Sequence, residues 1–261
     1  MNASLSPSFP HQLFAPRTLA APRQARSFAA KALLCVLKLF FLGSLLGLGG
    51  CASQTLFNAN FNADTIGSAP STTQTVGTVS LDVGSGTVKV VAAPSGTSSN
   101  WVQINHPSAP SPQTAMRGDF SQFKGDGTYN FLAAVYIPTG TGVVTLQFEP
   151  FGQPASSYTN FLHLDFMQNN TVRIDDKSNV VFGSFPRDKY FTVLVTLTIT
   201  PTGATANMEL LGNGASGTLT YPVNPEWLNI AREFGAVRFW MGYQFTGSFE
   251  ADDILVLYRN P

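Results

Sequence analysis

The sequence predicts an all-β fold, an antiparallel β-sandwich of the jelly-roll type. Three observations predict it: short runs of alternating apolar and polar residues, turn-forming residues between those runs, and almost no helical periodicity after position 52. Alternation with a period of two sends successive side chains to opposite faces of a strand. Each run therefore indicates a strand with one face in the core.

The clearest strand is Tyr190–Thr200, where valine, leucine and isoleucine alternate with threonine. Weaker candidates lie near Leu56 and Val76, and one short helix is expected around 225–233, with Asn224 as its N-cap. Together the runs form one expected sandwich domain over residues 56–261. Similar runs predict strands at residues 86–92, 129–137, 143–148, 161–166, 171–175, 204–211, 236–241 and 249–258.

The first 50 residues are typical of an export signal and stand apart from the predicted domain. Residues 1–31 hold basic residues and no acid, and a mostly apolar run then extends to Gly50, interrupted by Lys38. The apolar part after Lys38 is about a dozen residues, too short to cross roughly 30 Å of hydrocarbon at 1.5 Å per residue. A cleaved signal peptide is therefore favoured over a permanent transmembrane helix.

The apolar run ends in Leu48-Gly49-Gly50-Cys51, which resembles the lipobox of bacterial lipoproteins. In that family the cysteine is joined to diacylglycerol, becomes the first mature residue and receives a further acyl chain such as palmitate. The resemblance implies a lipidated Cys51, a short tether over 51–55 and the lipid bilayer as a partner. Ala52 and Ser53 differ from the aspartate that retains such proteins at the inner membrane, which implies the outer membrane. The alternative is an ordinary buried cysteine.

Cysteine content and charge exclude several classes of site in the mature chain. No cysteine follows Cys51, so the domain has neither disulfides nor thiolate metal sites. Five of the fifteen basic residues lie in the first 50 positions, whereas all fifteen acids follow, which leaves a net charge of −5. Nucleic acid is therefore not expected as a partner.

The two ends of the predicted domain resemble concanavalin A-like lectin/glucanase domains, particularly their laminin-G-like bacterial members. Residues 61–70, FNADTIGSAP, resemble the opening strand and turn, and residues 247–256, GSFEADDILV, resemble the closing strand. In related jelly rolls acidic residues near both termini sometimes hold a structural calcium, which implies Asp64, Asp252 and Asp253 as candidate ligands. The alternative is that these aspartates cap turns. No other cofactor is expected.

Motifs of catalysis are scarce in this sequence. It contains no serine-hydrolase elbow, phosphate-binding loop or zinc motif. The paired-acid motif of the family's glucanases is incomplete, because Glu250-Ala251-Asp252 begins like it but lacks the second glutamate. These observations favour a binding module over an enzyme.

Alternation also predicts which polar side chains share a face. If the strands around residues 143–175 and 236–241 share the concave sheet of a jelly roll, their side chains opposite the core form a groove. An aromatic ring beside bidentate hydrogen-bonding groups suits carbohydrate, although exposed sheet faces are commonly polar. The predicted ligand-binding residues are Trp240, Arg238, His163, Asp165, Arg173 and Glu149.

The main alternative is a polysaccharide lyase or glycoside hydrolase of the same fold. Some lyases of this fold use His, Tyr, Arg and Gln to neutralise a uronate and transfer protons, which implies His163, Tyr136, Gln147 and Arg173 here. The sequence blocks of the alginate lyases are not matched, and a negative net charge would repel a polyanion. A third hypothesis is a structural envelope protein without a small ligand.

Overall fold

Fifteen β-strands make up most of the part of the chain that the structure describes. The structure is a computed structural model that describes residues 53–94, 97, 99–154, 159–174 and 180–261. The predicted lipidation site, Cys51, lies outside these residues. The strands are β1 (Gln54–Ala59), β2 (Thr78–Asp82), β3 (Thr87–Val91), β4 (Trp101–His106), β5 (Thr114–Asp119), β6 (Gly127–Tyr136), β7 (Val144–Pro150), β8 (Leu162–Phe166), β9 (Thr171–Ile174), β10 (Val180–Ser184), β11 (Tyr190–Thr200), β12 (Gly203–Leu211), β13 (Ser216–Pro222), β14 (Phe234–Met241) and β15 (Gly247–Arg259).

The strands form two antiparallel layers that are joined at one edge. The front sheet has the order β2-β5-β14-β7-β8-β9-β10, and the back sheet has the order β13-β12-β11-β6-β15-β4-β3. Strand β1 pairs with β15 of the back sheet. The two layers meet where β10 pairs with β13 through Gly183 and Ser184. The predicted all-β antiparallel sandwich is therefore confirmed.

Aromatic side chains fill the space between the two sheets. Phe131 of β6 packs on Phe148 of β7 with ring centroids 5.3 Å apart, and on Phe239 of β14 at 6.3 Å. Tyr129 of β6 packs on Phe234 of β14 at 5.0 Å. Burial of each such ring stabilises the fold by about 1.5 to 3 kcal/mol. Because these residues point inward, the alternate residues on the same strands point to the outer faces.

The strand predictions hold for the regular, apolar runs and fail for four other strands. Every run given above as a predicted strand corresponds to an observed strand, with ends displaced by a few residues; Asp175 lies outside the described residues. The strands β4, β5, β10 and β13 were not predicted. Strand β5 has the sequence TAMRGD, in which only Met116 is a large apolar residue, so it lacks the alternation that identifies the others.

The predicted short helix is confirmed at Pro225–Trp227, a 3₁₀ turn that continues into helix α1 (Leu228–Arg232). The Asn224 side chain accepts a hydrogen bond from the Glu226 backbone N–H at 3.1 Å, which caps the turn as expected. Among the described residues, no helix combines the length and the apolar character needed to cross a membrane.

Candidate functional site: the polar face of the front sheet

Polar side chains cover the outer face of the front sheet in two cross-strand rows. We call this surface, defined by the two rows, the polar face. The strand register aligns one row as Ser80, Arg117, Arg238, Gln147 and His163. The other row is Asp82, Ala115, Trp240, Thr145, Asp165 and Arg173. The structure thus brings most of the candidate residues onto one surface of one sheet.

Glu149, which extends from β7 at the same face, binds two arginines. Its Oε2 accepts a hydrogen bond from Arg117 Nε at 2.7 Å, and its Oε1 lies 2.6 Å from Arg238 Nε. Arg117 also pairs with Asp119 and donates to the backbone carbonyls of Pro150 and Gln153, at 3.1 and 2.6 Å. This network fixes the floor of the polar face in a single arrangement.

Burial of this network differs from the sequence-based expectation. Arg238 and Glu149 were expected to line an open groove, but both are 0 % exposed, and Arg117 is 2 % exposed. Long side chains from the neighbouring strands β5, β7 and β14 pack side by side and cover one another, which a pattern within one strand does not reveal. Burial raises the pKa of the Glu149 carboxyl, and Arg238 and Arg117 oppose that rise.

Trp240 is the aromatic residue of the polar face, and it is half-buried. In the amide orientation that satisfies both neighbours, Gln147 accepts a hydrogen bond from the Trp240 indole N–H at 3.3 Å and donates to Glu149 Oε1 at 3.2 Å. The ring also lies against Gly242, where a Cβ atom would come within 2.9 Å of it. The indole is therefore oriented by the buried network and still reaches solvent.

The far edge of the polar face is formed by β8 and β9. Asp165 accepts a hydrogen bond from Thr145 Oγ1 at 2.6 Å and lies 3.7 Å from Arg173 Nη2. The Arg173 side chain is 31 % exposed, whereas that of Asp165 is 7 % exposed, so Asp165 also departs from the open groove that was expected. His163 is half-buried, and its Nδ1 lies 3.1 Å from Asn160 Oδ1. Trp240 and Arg173 stand three strand spacings apart, about 14 Å.

Tyr136 does not join this surface, which corrects the four-residue lyase set. It lies on β6 in the back sheet, in register with Tyr190 of β11 and Glu250 of β15. Its neighbour Val135 belongs to the core, so Tyr136 points to the outer surface opposite His163. Alternation assigns a residue to one side of its own strand, but the sheet to which the strand belongs depends on long-range pairing.

Two of the three aspartates of the calcium hypothesis have separate hydrogen-bond partners. Asp64 accepts hydrogen bonds from the backbone N–H and the hydroxyl of Ser71, and Asp252 accepts one from Ser99 Oγ at 2.6 Å. Asp253 has φ 51° and lies at a bulge of β15. In the described part of the chain, no three acidic, histidine or cysteine side chains form a metal-binding group.

Calcium binding itself stays a prediction. If it occurs, calcium stabilises the folded state by mass action, and the melting temperature rises between chelator and millimolar calcium. An unchanged melting temperature would remove the hypothesis.

Arg117 and Asp119 are functional candidates that the sequence analysis missed, because β5 was not recognised as a strand. Gly118 occupies a core-facing position, and a Cβ atom there would lie 2.5 Å from the Phe57 ring. The close packing of Phe57 requires glycine, and this removes an apolar residue from the expected alternation. One feature of the sequence could have identified them: Arg117 and Asp119 are two positions apart, so in a strand their side chains lie on the same face.

Comparison with known proteins gives distant structural neighbours. No family model matches the chain, and no curated protein matches it. Among solved structures it is similar to arcelin-5, a lectin-like defence protein from Phaseolus vulgaris, with 12% identity, a TM-score of 0.47 and coverage of 82% of this chain and 100% of that one.

Two further neighbours are the catalytic domain of a glycoside hydrolase family 131 protein from Coprinopsis cinerea and the CBM2 module of an evolved Dit from Lactobacillus casei BL23 phage J-1. The first shares 13% identity with a TM-score of 0.49, covering 78% of this chain and 94% of that one. The second shares 15% identity with a TM-score of 0.46, covering 82% of this chain and 99% of that one. At these values the likeness is not evidence for a shared ligand or activity.

Proposed function

We propose that the chain is an envelope lipoprotein, held on the outer membrane through acylated Cys51, whose sandwich domain binds carbohydrate on the polar face without catalysis. One observation carries the binding proposal: a half-buried indole, Trp240, is oriented by a buried network on the same face as His163 and Arg173. A polysaccharide is the expected partner.

The chemistry of the polar face suits sugars. A sugar ring has apolar C–H faces that stack on an indole, and hydroxyl edges that exchange hydrogen bonds with guanidinium and carboxylate groups. Arg173, whose side chain is 31 % exposed, is the guanidinium of the polar face that a ligand can reach. Because the network is already ordered, little side-chain entropy is lost on binding.

The same contacts favour binding over the alternative of a polysaccharide lyase or glycoside hydrolase. A catalytic acid or base must be within reach of the substrate and must change its protonation during the reaction. Glu149 is buried between Arg117 and Arg238, and Asp165 is held by Thr145 and Arg173. Tyr136, a member of the four-residue lyase set, lies on the back sheet and points away from His163.

A glycan array probed with the mature protein tests the binding proposal. Binding to a polysaccharide or oligosaccharide is expected, together with no rise in the ultraviolet absorbance that marks unsaturated lyase products. Release of such products, or of reducing ends, would show that the enzyme alternative is correct. Absence of binding to every glycan would instead favour the structural role in the envelope.

The anchor proposal rests on the resemblance of residues 48–51 to a lipobox. Cys51→Ser should abolish labelling by palmitate and leave the signal uncleaved, because serine offers no thiolate for the lipid transfer. Mass spectrometry of the chain checks both effects at once. Cys35→Ser is the matched control, since it alters a cysteine of the same apolar run and should leave lipidation intact. Palmitate on the Cys51→Ser protein would contradict the anchor.

A further inference from the structure

One end of the sandwich carries three exposed aromatic side chains. Phe123, Phe151 and Trp227 are 48 %, 42 % and 36 % exposed, and the rings of Phe123 and Phe151 lie 6.2 Å apart. We call this surface, defined by these three residues, the aromatic end. Large apolar groups are costly to leave in water, so a group of them at one end indicates a contact surface.

Local contacts place all three residues near the start of β14. The Phe151 backbone N–H donates to the Glu233 carbonyl at 2.7 Å, and Glu233 directly precedes the first residue of β14. Trp227 lies in the 3₁₀ turn that continues through α1 to the same point. Phe123 is three positions after Phe120, and the Phe120 backbone N–H donates to the Gly235 carbonyl at 2.9 Å.

The chain also enters the domain at the aromatic end. The Ser121 N–H donates to the Leu56 carbonyl at 2.9 Å, and Gln54 at the start of β1 pairs with Tyr258. Lys124, the residue after Phe123, lies 5.8 Å from the Tyr258 ring. Gln54 is three positions after Cys51, and three extended residues span about 10 Å. A lipid on Cys51 is therefore held close to the aromatic end.

Charge does not dominate this surface. The Arg232 guanidinium pairs with Asp126 at 2.8 Å, and basic and acidic side chains are balanced around it. An interaction with a membrane there depends on the rings, since tryptophan and other aromatic residues favour the interface between headgroups and hydrocarbon. The charged residues concerned are Lys124, Arg232, Arg259, Asp126, Glu226 and Glu233.

We propose that the aromatic end rests in the headgroup region of the bilayer to which Cys51 is anchored. This inference depends on the proposed lipidation of Cys51 and adds an orientation to it. Strand β14 runs from Phe234 at the aromatic end to Trp240 near its other end, a rise of about 20 Å at 3.3 Å per residue. In this orientation β14 extends away from the membrane surface. Trp240 is then exposed to the aqueous phase, where it can contact a polysaccharide.

Trp227 provides a natural probe of this orientation. The full chain is expressed, lipidated and reconstituted into vesicles of phosphatidylethanolamine and phosphatidylglycerol, with or without brominated acyl chains that quench tryptophan near the interface. Trp101 is 2 % exposed, and Trp240 lies far from the aromatic end, so quenching is expected to come from Trp227. Trp227→Phe should therefore lose most of the quenching while keeping an aromatic ring.

Substitution of the two phenylalanines provides a second test. Phe123→Asp combined with Phe151→Asp should reduce the quenching of Trp227 by about half or more, because two charges replace groups that favour the interface. The matched control is Tyr243→Asp: Tyr243 is 55 % exposed and follows the opposite end of β14. It should leave quenching unchanged. If the double variant does not fold, Trp227→Phe still decides the outcome.

Flotation of the same vesicles separates the possible failures. If the protein floats but Trp227→Phe leaves quenching unchanged, the orientation is wrong and the anchor stands. If the protein acquires no lipid and does not float, both the anchor and the orientation are wrong. Concentration-dependent self-association through the aromatic end, without quenching, would identify a second copy as the occupant and would likewise overturn the proposal.

Discussion

The two outer faces of the sandwich share the same alternation of side chains but carry different chemistry. On the front sheet, the Glu149 carboxylate lies between Arg117 and Arg238, and all three residues are buried. On the back sheet, the Glu250 carboxylate is held by an amide, through a hydrogen bond of 3.0 Å from Gln103. Further along the same face, Leu132 aligns with Leu194 and Leu255 as an apolar row.

This difference bears on function because a buried ionic network is a poor means of stabilising a fold. The desolvation of its charges offsets much of their attraction, and well-packed apolar residues are often as stable or more so. The back sheet shows that this chain covers a sheet face with leucine and amide side chains. The ionic network of the front sheet is therefore better explained as a fixed support for Trp240 and its neighbours.

The largest expected effect follows from removal of the Glu149 charge. Glu149→Gln leaves Arg117 and Arg238 buried without their carboxylate, which should lower the free energy of unfolding by about 3 kcal/mol or more. Unfolding in urea measures the change. Glu250→Gln is the matched variant on the back sheet, and it should change the free energy by less than about 1 kcal/mol. Equal losses in the two variants would remove the contrast between the faces.

A smaller effect is expected in the dependence of stability on pH. Burial raises the pKa of the Glu250 carboxyl above its ordinary value of 4.5, so the folded state holds the proton more tightly than the unfolded state. The stabilisation from this group is fully present below pH 4.5 and is lost as the pH rises through the folded-state pKa. In Glu250→Gln the contribution disappears.

Urea unfolding of the native protein and Glu250→Gln over a series of pH values checks this prediction. The stability of the native protein relative to the variant should fall as the pH rises from 4.5. A difference that stays constant with pH would contradict the burial of Glu250. A difference that grows with pH would mean that a cation holds the carboxylate.

The sequence was sufficient to predict the fold and the side of each regular strand on which a residue lies. Period-two alternation placed Trp240, Arg238 and His163 opposite the core of their strands, and the structure agrees. It did not predict that Tyr136 belongs to the other sheet, because strand pairing depends on residues distant in the chain. Strand β5 was not predicted because Gly118 stands at a core-facing position where the alternation would need an apolar residue. A glycine is needed there because the Phe57 ring packs against its backbone.

The sequence also could not predict that the ionic network is buried. A charged residue on the outer face of a strand is normally solvated, and nothing within β14 or β7 indicates that Arg238 and Glu149 meet. Their contact arises from the register between the two strands, together with Arg117 from β5. The candidate site could therefore be located by pattern, whereas its accessible and buried parts could not be distinguished.

The most direct test of the proposed function compares ligand affinity after one substitution on each face. Trp240→Ala and Tyr136→Ala each remove a half-buried aromatic ring, the first from the polar face and the second from the back sheet. Calorimetric titration with a glycan selected on the array measures the affinity, and the melting temperature is the control for folding. Trp240→Ala should weaken binding by about tenfold or more, while Tyr136→Ala leaves it unchanged. Unchanged affinity in a folded Trp240→Ala protein, or an equal loss in Tyr136→Ala, would contradict carbohydrate binding on the polar face.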